Sequence, residues 1–212
     1  MKNNLKKIII AALLLIVVGF SGYFLHSDIQ EKSINKDFAF DVIRSLNEVY
    51  TSRSLNNDEK ESNQFEPAYF MKEHVSNAKD IMKKWELDKD KLRRKVATSM
   101  LDGINDLLIA SDAYIDLMKN SSNSEENLAL FKVKLEEGRK DLFGGAAGVV
   151  LENDGIKLTK SQKQDVIKYI DNVFEEELDT YKKYQESEEK DENFNQPQEV
   201  WAAIIIKNGL SK

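Results

Sequence analysis

Residues Ile8 to Leu25 form an apolar run of 18 positions, preceded by Lys2, Lys6 and Lys7. As an α-helix such a run covers roughly 27 Å, close to the ~30 Å hydrocarbon core of a bilayer. It contains no charge, proline or asparagine, and Ser21 is its one aliphatic polar residue. A core helix needs only one apolar face, so a segment apolar on every side predicts a membrane span. The lysines before the run put the N-terminus in the cytoplasm and the rest of the chain outside. The organisation expected is a basic cytoplasmic tail over residues 1–7, a transmembrane signal-anchor over 8–25 and an extracytoplasmic domain over 26–212. Tyr23 and His26 fall at the far edge, where amphipathic rings suit the headgroup layer.

A cleaved secretory signal is the competing reading. Ile8 to Val18 would be its apolar stretch, and Gly19-Phe20-Ser21 offers small residues for a cut near Ser21, leaving a secreted or periplasmic protein. Against it, apolar character continues through Tyr23, Phe24 and Leu25. Both readings export the domain.

Charge then limits the partners. Lys2, Lys6 and Lys7 are the only charged residues before position 26, so the remainder carries 28 basic and 37 acidic side chains. An acidic domain without a basic patch is a poor ligand for nucleic acid, and it should also be repelled by anionic lipid, so membrane attachment is expected to come from the apolar segment. The chain has no cysteine, so packing without disulfides must hold an exported fold. Lysine far outnumbers arginine (Arg44, Arg53, Arg93, Arg94 and Arg139) and asparagine is frequent, a bias familiar from AT-rich bacterial genomes. Two prolines and nine glycines argue against a β-sandwich.

Helical periodicity fills the rest. Ile34, Phe38, Val42, Leu46, Val49 and Tyr50 recur every three or four residues, predicting a first helix with one apolar face. Ser54 to Gln64 is polar and aperiodic, hence a loop. Pro67 suits the first turn of a second helix carrying Met71, Val75, Ala78, Met82 and Trp85. The rhythm runs on through Leu92 and Val96, then shifts to Ala97, Leu101, Ile104, Leu108, Ile115 and Met118, leaving one long helix or two hinged near Asp88-Lys89-Asp90. Ser124 is expected to cap a helix with Leu128, Phe131, Leu135 and Leu142 on its face. Thr159-Lys160-Ser161-Gln162 has the form of a capping box and opens a helix with the stripe Val166, Ile167, Ile170, Val173, Phe174, Leu178 and Tyr181. Pro197 opens a last helix that closes at Asn208-Gly209. The fold class expected is all-α, a bundle of about five to six helices after the membrane segment. A small hairpin around Asp154-Gly155 is the one β alternative, against a helix end and a loop.

Little chemistry is written in this chain. His26 and His74 are its two histidines. A bundle di-iron site needs Glu three residues before a His, and Tyr23 and Met71 stand there. If Gly155 held the sixth position of a calcium loop, Val150 and Ser161 would occupy its first and last, and neither offers a carboxylate. Gly144-Gly145-Ala146-Ala147-Gly148 lacks the Lys-Ser/Thr of a phosphate loop and is read as close helix packing. Glu175-Glu176-Glu177 reads as solvated helix surface. Tyr169, Phe174, Tyr181 and Tyr184 sit at helical spacing, with Phe174 and Tyr181 taken as core and Trp201 as core or docking face. No catalytic residue, cofactor-binding residue, metal ligand or cofactor is assigned. The expectation is a non-catalytic protein-interaction, accessory or sensor domain tethered through residues 8–25, with a protein partner and no nucleic acid. The rival is an exported hydrolase or small-molecule binder with carboxylates lining an interhelical pocket.

Overall fold

A computed structural model describes residues 29–53, 66–119, 123–152, 155–187 and 196–212. The predicted membrane segment 8–25 lies outside them, and no helix among the described residues is long and apolar enough to cross a membrane. Those residues form an all-α bundle: α1 over residues 29–51, α2 Glu66–Lys83, α3 Lys91–Lys119, α4 Ser124–Leu151, α5 Lys160–Val173, α6 Glu175–Glu186 and α7 Gln198–Leu210. Seven helices stand where five to six were expected.

The helix α1 is central. Beyond the predicted Phe38, Val42, Leu46 and Val49, it also buries Asn35, Ala39, Asp41, Ile43 and Ser45, while Ile34 stays partly exposed. Burial on more than one face follows from having neighbours on two sides. On one side runs α2, with Ser45 donating to the Ala78 carbonyl at 3.4 Å and Phe38 edge-on to Trp85 at 5.0 Å. On the other run α5 and α6, where Phe40 meets Tyr169 and Tyr50 meets Phe174.

The slipped register after Trp85 resolves into a break between α2 and α3. Asp90 caps α3, its carboxylate accepting from the Arg93 amide at 2.8 Å. The next helix, α4, packs antiparallel to α3 through its small residues, and it passes through Gly144–Gly148 without interruption. A Cβ on Gly145 would lie 2.9 Å from the Met100 amide nitrogen, so side-chain-free positions let the two backbones approach. Ser124 is the first residue of α4 and not its cap; Asn123 holds the cap position without a side-chain bond. Around Asp154-Gly155 the described residues form no strand: α4 ends, Gly155 takes a left-handed φ of 70°, and Ile156 donates back to the Val149 carbonyl.

Two boundaries depart from the periodic reading. The capping box is present, but the helix it opens breaks at Phe174, whose φ of −119° and ψ of 34° separate α5 from α6. Phe174 is fully buried against Tyr50, so core packing sets the bend. The last helix runs through Gly209 to Leu210, because Gly209 lies against Val150, where a Cβ would come within 2.7 Å.

The topology gathers distant segments at each end. Where α1 begins, Arg93 reaches Glu31, Gln162 donates to the Lys32 carbonyl, and Lys95 pairs with Glu152. The α2–α3 turn, the end of α4 and the start of α5 therefore share this proximal end. At the distal end, Lys119 lies over the Tyr69 ring.

Candidate functional site

The strongest candidate is an open groove of about 470 Å³ between α1 and the α2–α3 turn, lined by Asp37, Phe40, Asp41, Arg44, Lys84, Trp85 and Asp88. Helical spacing puts Asp37, Phe40, Asp41 and Arg44 on one side of α1. Asp41 is buried yet fully engaged: Trp85 Nε1 donates to Oδ2 at 2.9 Å, Lys84 Nζ lies 2.6 Å from the same oxygen, and Arg44 is 3.7 Å from Oδ1. Lys84 also stands 5.3 Å over the Trp85 ring. The groove therefore offers an aromatic wall with charges of both signs.

Behind it lies the buried guanidinium of Arg93, 3 % exposed. It donates to Asp88 through Nη2 at 2.8 Å and Nε at 3.0 Å, and through Nη1 to Glu31 at 2.5 Å and to Asn35. Burial alone would lower its pKa, but the bonds to Asp88 and Glu31 outweigh that and raise it. Asn35 in turn donates to the Lys157 carbonyl at 3.0 Å, so one planar cation joins α1, the α2–α3 turn, α3 and the segment after α4.

A second charged cluster lies inside the bundle near the distal end. Glu199, 1 % exposed, is 3.1 Å from Arg53 and 3.9 Å from Arg139. Neither carboxylate oxygen makes a hydrogen bond, nor does the Nε of either arginine. Burial, then the neighbouring Arg53 charge, pushes Arg139 down to about 10 against the opposing pull of Glu199. One buried carboxylate faces two half-buried guanidiniums, which leaves an excess positive charge beside it.

The residues singled out in the sequence take ordinary places. His74 Nδ1 lies 2.7 Å from Glu48 and its ring against Phe70, on the α1–α2 seam. Glu175 and Glu176 are exposed, while Glu177 is half-buried and accepts from the Tyr50 hydroxyl. Tyr181 is half-buried edge-on to Trp201, beside a groove of about 380 Å³ that Asp171, Glu175 and Asp179 share with Lys182 and Lys207. Among the described residues, no group of three or more His, Asp or Glu could hold a metal ion.

Sequence reasoning missed Asp41, Arg93, Glu199 and their partners. One signal was available: arginine occurs five times in a lysine-rich chain, Arg53 and Arg139 flank the buried Glu199, Arg44 lies beside the buried Asp41, and Arg93 is itself buried. Where lysine suffices for the surface, an arginine marks a site that needs a planar, weakly hydrated cation.

Comparison with protein-family models, with curated proteins and with solved structures gives no match.

Proposed function

We propose that this chain is a membrane-tethered helical module, held by residues 8–25 with its body on the extracytoplasmic side, that works through protein contacts and not through catalysis. The observation that carries the reading is where apolar side chains remain exposed. Apart from a group at the proximal end, they lie on α3, α4 and the start of α2: Ile109, Leu128, Leu130, Val133 and Tyr69. Every buried residue of α4 lies at Gly138 or beyond, so its first half presents leucine and valine to solvent. Leu130 and Val133, three residues apart, share one side of α4, and such a pair suits packing against a partner helix. The buried carboxylates are tied to cations, Asp41 to Lys84 and Glu199 to Arg53, and Glu48 lies against the His74 ring.

Photo-crosslinkers placed at Leu130 and Val133 in the full chain, in its native membrane, test this. A discrete adduct from both positions and none from Lys182 is the expected result; equal, diffuse labelling from all three would remove the proposal. Release of the intact chain into the medium after a cut near Ser21 would replace the tether with a secreted form.

A second reading is supported by the groove between α1 and the α2–α3 turn, where Asp37, Asp41 and Asp88 converge on an aromatic wall. It makes the body a small-molecule-binding domain. The chain has two tryptophans, so Trp201→Phe leaves Trp85 as the reporter, and ligand-dependent change in its emission is the test.

A further inference from the structure

The three most exposed large apolar side chains among the described residues are Leu87 at 88 %, Leu151 at 69 % and Ile29 at 65 %. They come from three separate segments: the α2–α3 turn, the last residue of α4 and the first described turn of α1. The fold brings all three to the proximal end. Asp88, next to Leu87, shares Arg93 with Glu31 of α1. Glu152, next to Leu151, pairs with Lys95 of α3.

The same end is rich in exposed basic residues. Lys89, Lys91, Arg94, Lys157 and Lys160 are all exposed there. The neighbouring acids are largely engaged: Asp88 and Glu31 with Arg93, Glu152 with Lys95, and Asp165 with Lys36. Glu86 and Asp37 remain exposed acids, and Asp90 is half-buried as the cap of α3. A chain with an acidic balance thus turns a basic end, tipped with leucine and isoleucine, in one direction.

That direction is set by covalent geometry if residues 8–25 span a bilayer, and the inference rests on that reading. From Leu25 to Ile29 there are four Cα steps, which reach at most roughly 14 Å. The headgroup layer beyond the hydrocarbon is itself about 5–8 Å deep. The start of α1 therefore stands at or just above the headgroups, whatever path residues 26–28 take. Because α1 is built into the core, the end of the bundle comes with it.

The geometry points to a lipid-docking face: the proximal end seats on the outer leaflet, with Ile29, Leu87 and Leu151 entering the interface and the lysines and Arg94 meeting anionic headgroups. Apolar tips ringed by cations are what an interfacial contact needs, since the tips gain from the acyl boundary and the cations from the surface potential. The tether then holds a body of fixed orientation, with the start of α4 at the end away from the membrane.

The absence of cysteine allows a direct test. Leu87→Cys, Leu151→Cys and, at the distal end, Glu126→Cys are made singly in the full chain. Each is labelled with an environment-sensitive fluorophore and reconstituted into vesicles of phosphatidylcholine with phosphatidylglycerol containing headgroup spin-labelled lipid. Quenching several-fold stronger at 87 and 151 than at 126 is the expected result. In a second arm the label sits at Lys157→Cys, and Leu87→Glu with Leu151→Glu should abolish its quenching while the chain still sediments with vesicles. Quenching no stronger at 87 and 151 than at 126, in chains that do sediment, overturns the docking face and leaves the tether standing. Chains that fail to sediment overturn the tether and this inference with it. Equal quenching in phosphatidylcholine alone overturns the role of the cations. Protection of both cysteines in native membranes but not in protein-free vesicles would assign the face to a protein.

Discussion

Gly103 and Gly138 meet backbone to backbone where α3 packs on α4: a Cβ on Gly103 would stand 2.5 Å from the Gly138 carbonyl oxygen and 2.6 Å from the Leu142 amide. No flexible side chain is there to yield. Gly103→Ala should therefore destabilise the bundle by about 3 kcal/mol, the upper part of the usual overpacking range. Gly144, in the same helix pair, has nothing within 4 Å of its virtual Cβ. Gly144→Ala should instead stabilise by about 0.5–1 kcal/mol through helix propensity. Opposite shifts of the urea midpoint at unchanged slope would confirm the pair, and a tolerated Gly103→Ala would refute the close approach.

The interior cluster of Glu199, Arg53 and Arg139 gives a prediction of sign. Glu199→Gln leaves two half-buried guanidiniums without their counter-charge and should cost about 3 kcal/mol, the low end for a broken buried pair. Arg139→Met leaves a one-to-one pair of Arg53 with Glu199 and should be neutral or stabilising. The pH dependence follows from Arg139 lying at about 10 when folded, well below its ordinary value. Above about pH 10 the folded chain sheds a proton that the unfolded chain keeps, so this group adds stability as pH climbs. Arg139→Met removes that gain. Denaturant melts of both variants across this range decide it.

Tyr50 pulls the other way at alkaline pH. Burial, and then its hydrogen bond to Glu177, raises the phenol well above its ordinary 10. The folded chain keeps this proton where the unfolded chain has lost it, so the stabilising contribution is complete below pH 10 and drains away above it. Ultraviolet titration should show one of the seven tyrosines ionising only on unfolding, and Tyr50→Phe should abolish that delayed step. A Tyr50→Phe titration that still shows the delayed step would sink the assignment.

Arg93→Lys should be costly despite keeping the charge. An ammonium cannot serve Asp88, Glu31 and Asn35 at once, so about 1.5–3 kcal/mol is expected to be lost. The loss should be local as well as global. In a Trp201→Phe background, Trp85 beside Asp88 should report loosening of the groove at denaturant concentrations below the main transition; a single unaltered transition would argue against Arg93 as the local tie.

Much of this architecture could be read before any coordinates. The stripe Met71, Val75, Ala78, Met82 and Trp85 is buried throughout, Thr159 and Gln162 form their box, and the hinge falls at Asp88–Asp90. These features are local, since period and caps involve residues a few positions apart. The failures share a different cause. Asn35 and Glu199 point inward because Arg93, Arg53 and Arg139 wait there, from α3, α4 and the far end of α1. Periodicity reports which face is greasy and says nothing about which polar group will find a counterpart a hundred residues away. The bend at Phe174 was hidden for the same reason, being set by Tyr50. The proximal end's basic character was likewise invisible to a net charge, which adds up side chains without regard to where the topology sends them.

The centrality of α1 carries a consequence for biogenesis. Asn35 bonds to Lys157, Lys36 to Asp165 and Tyr50 to Glu177, so the first of the described helices finds these counterparts in segments made more than a hundred residues later. Until α5 and α6 have been made, Phe40 and Tyr50 face water in a nascent chain whose core is still open on one side. Closure is therefore a late, long-range event, and a chain truncated before α5 leaves that side of its first helix bare, as a target for chaperones or proteases.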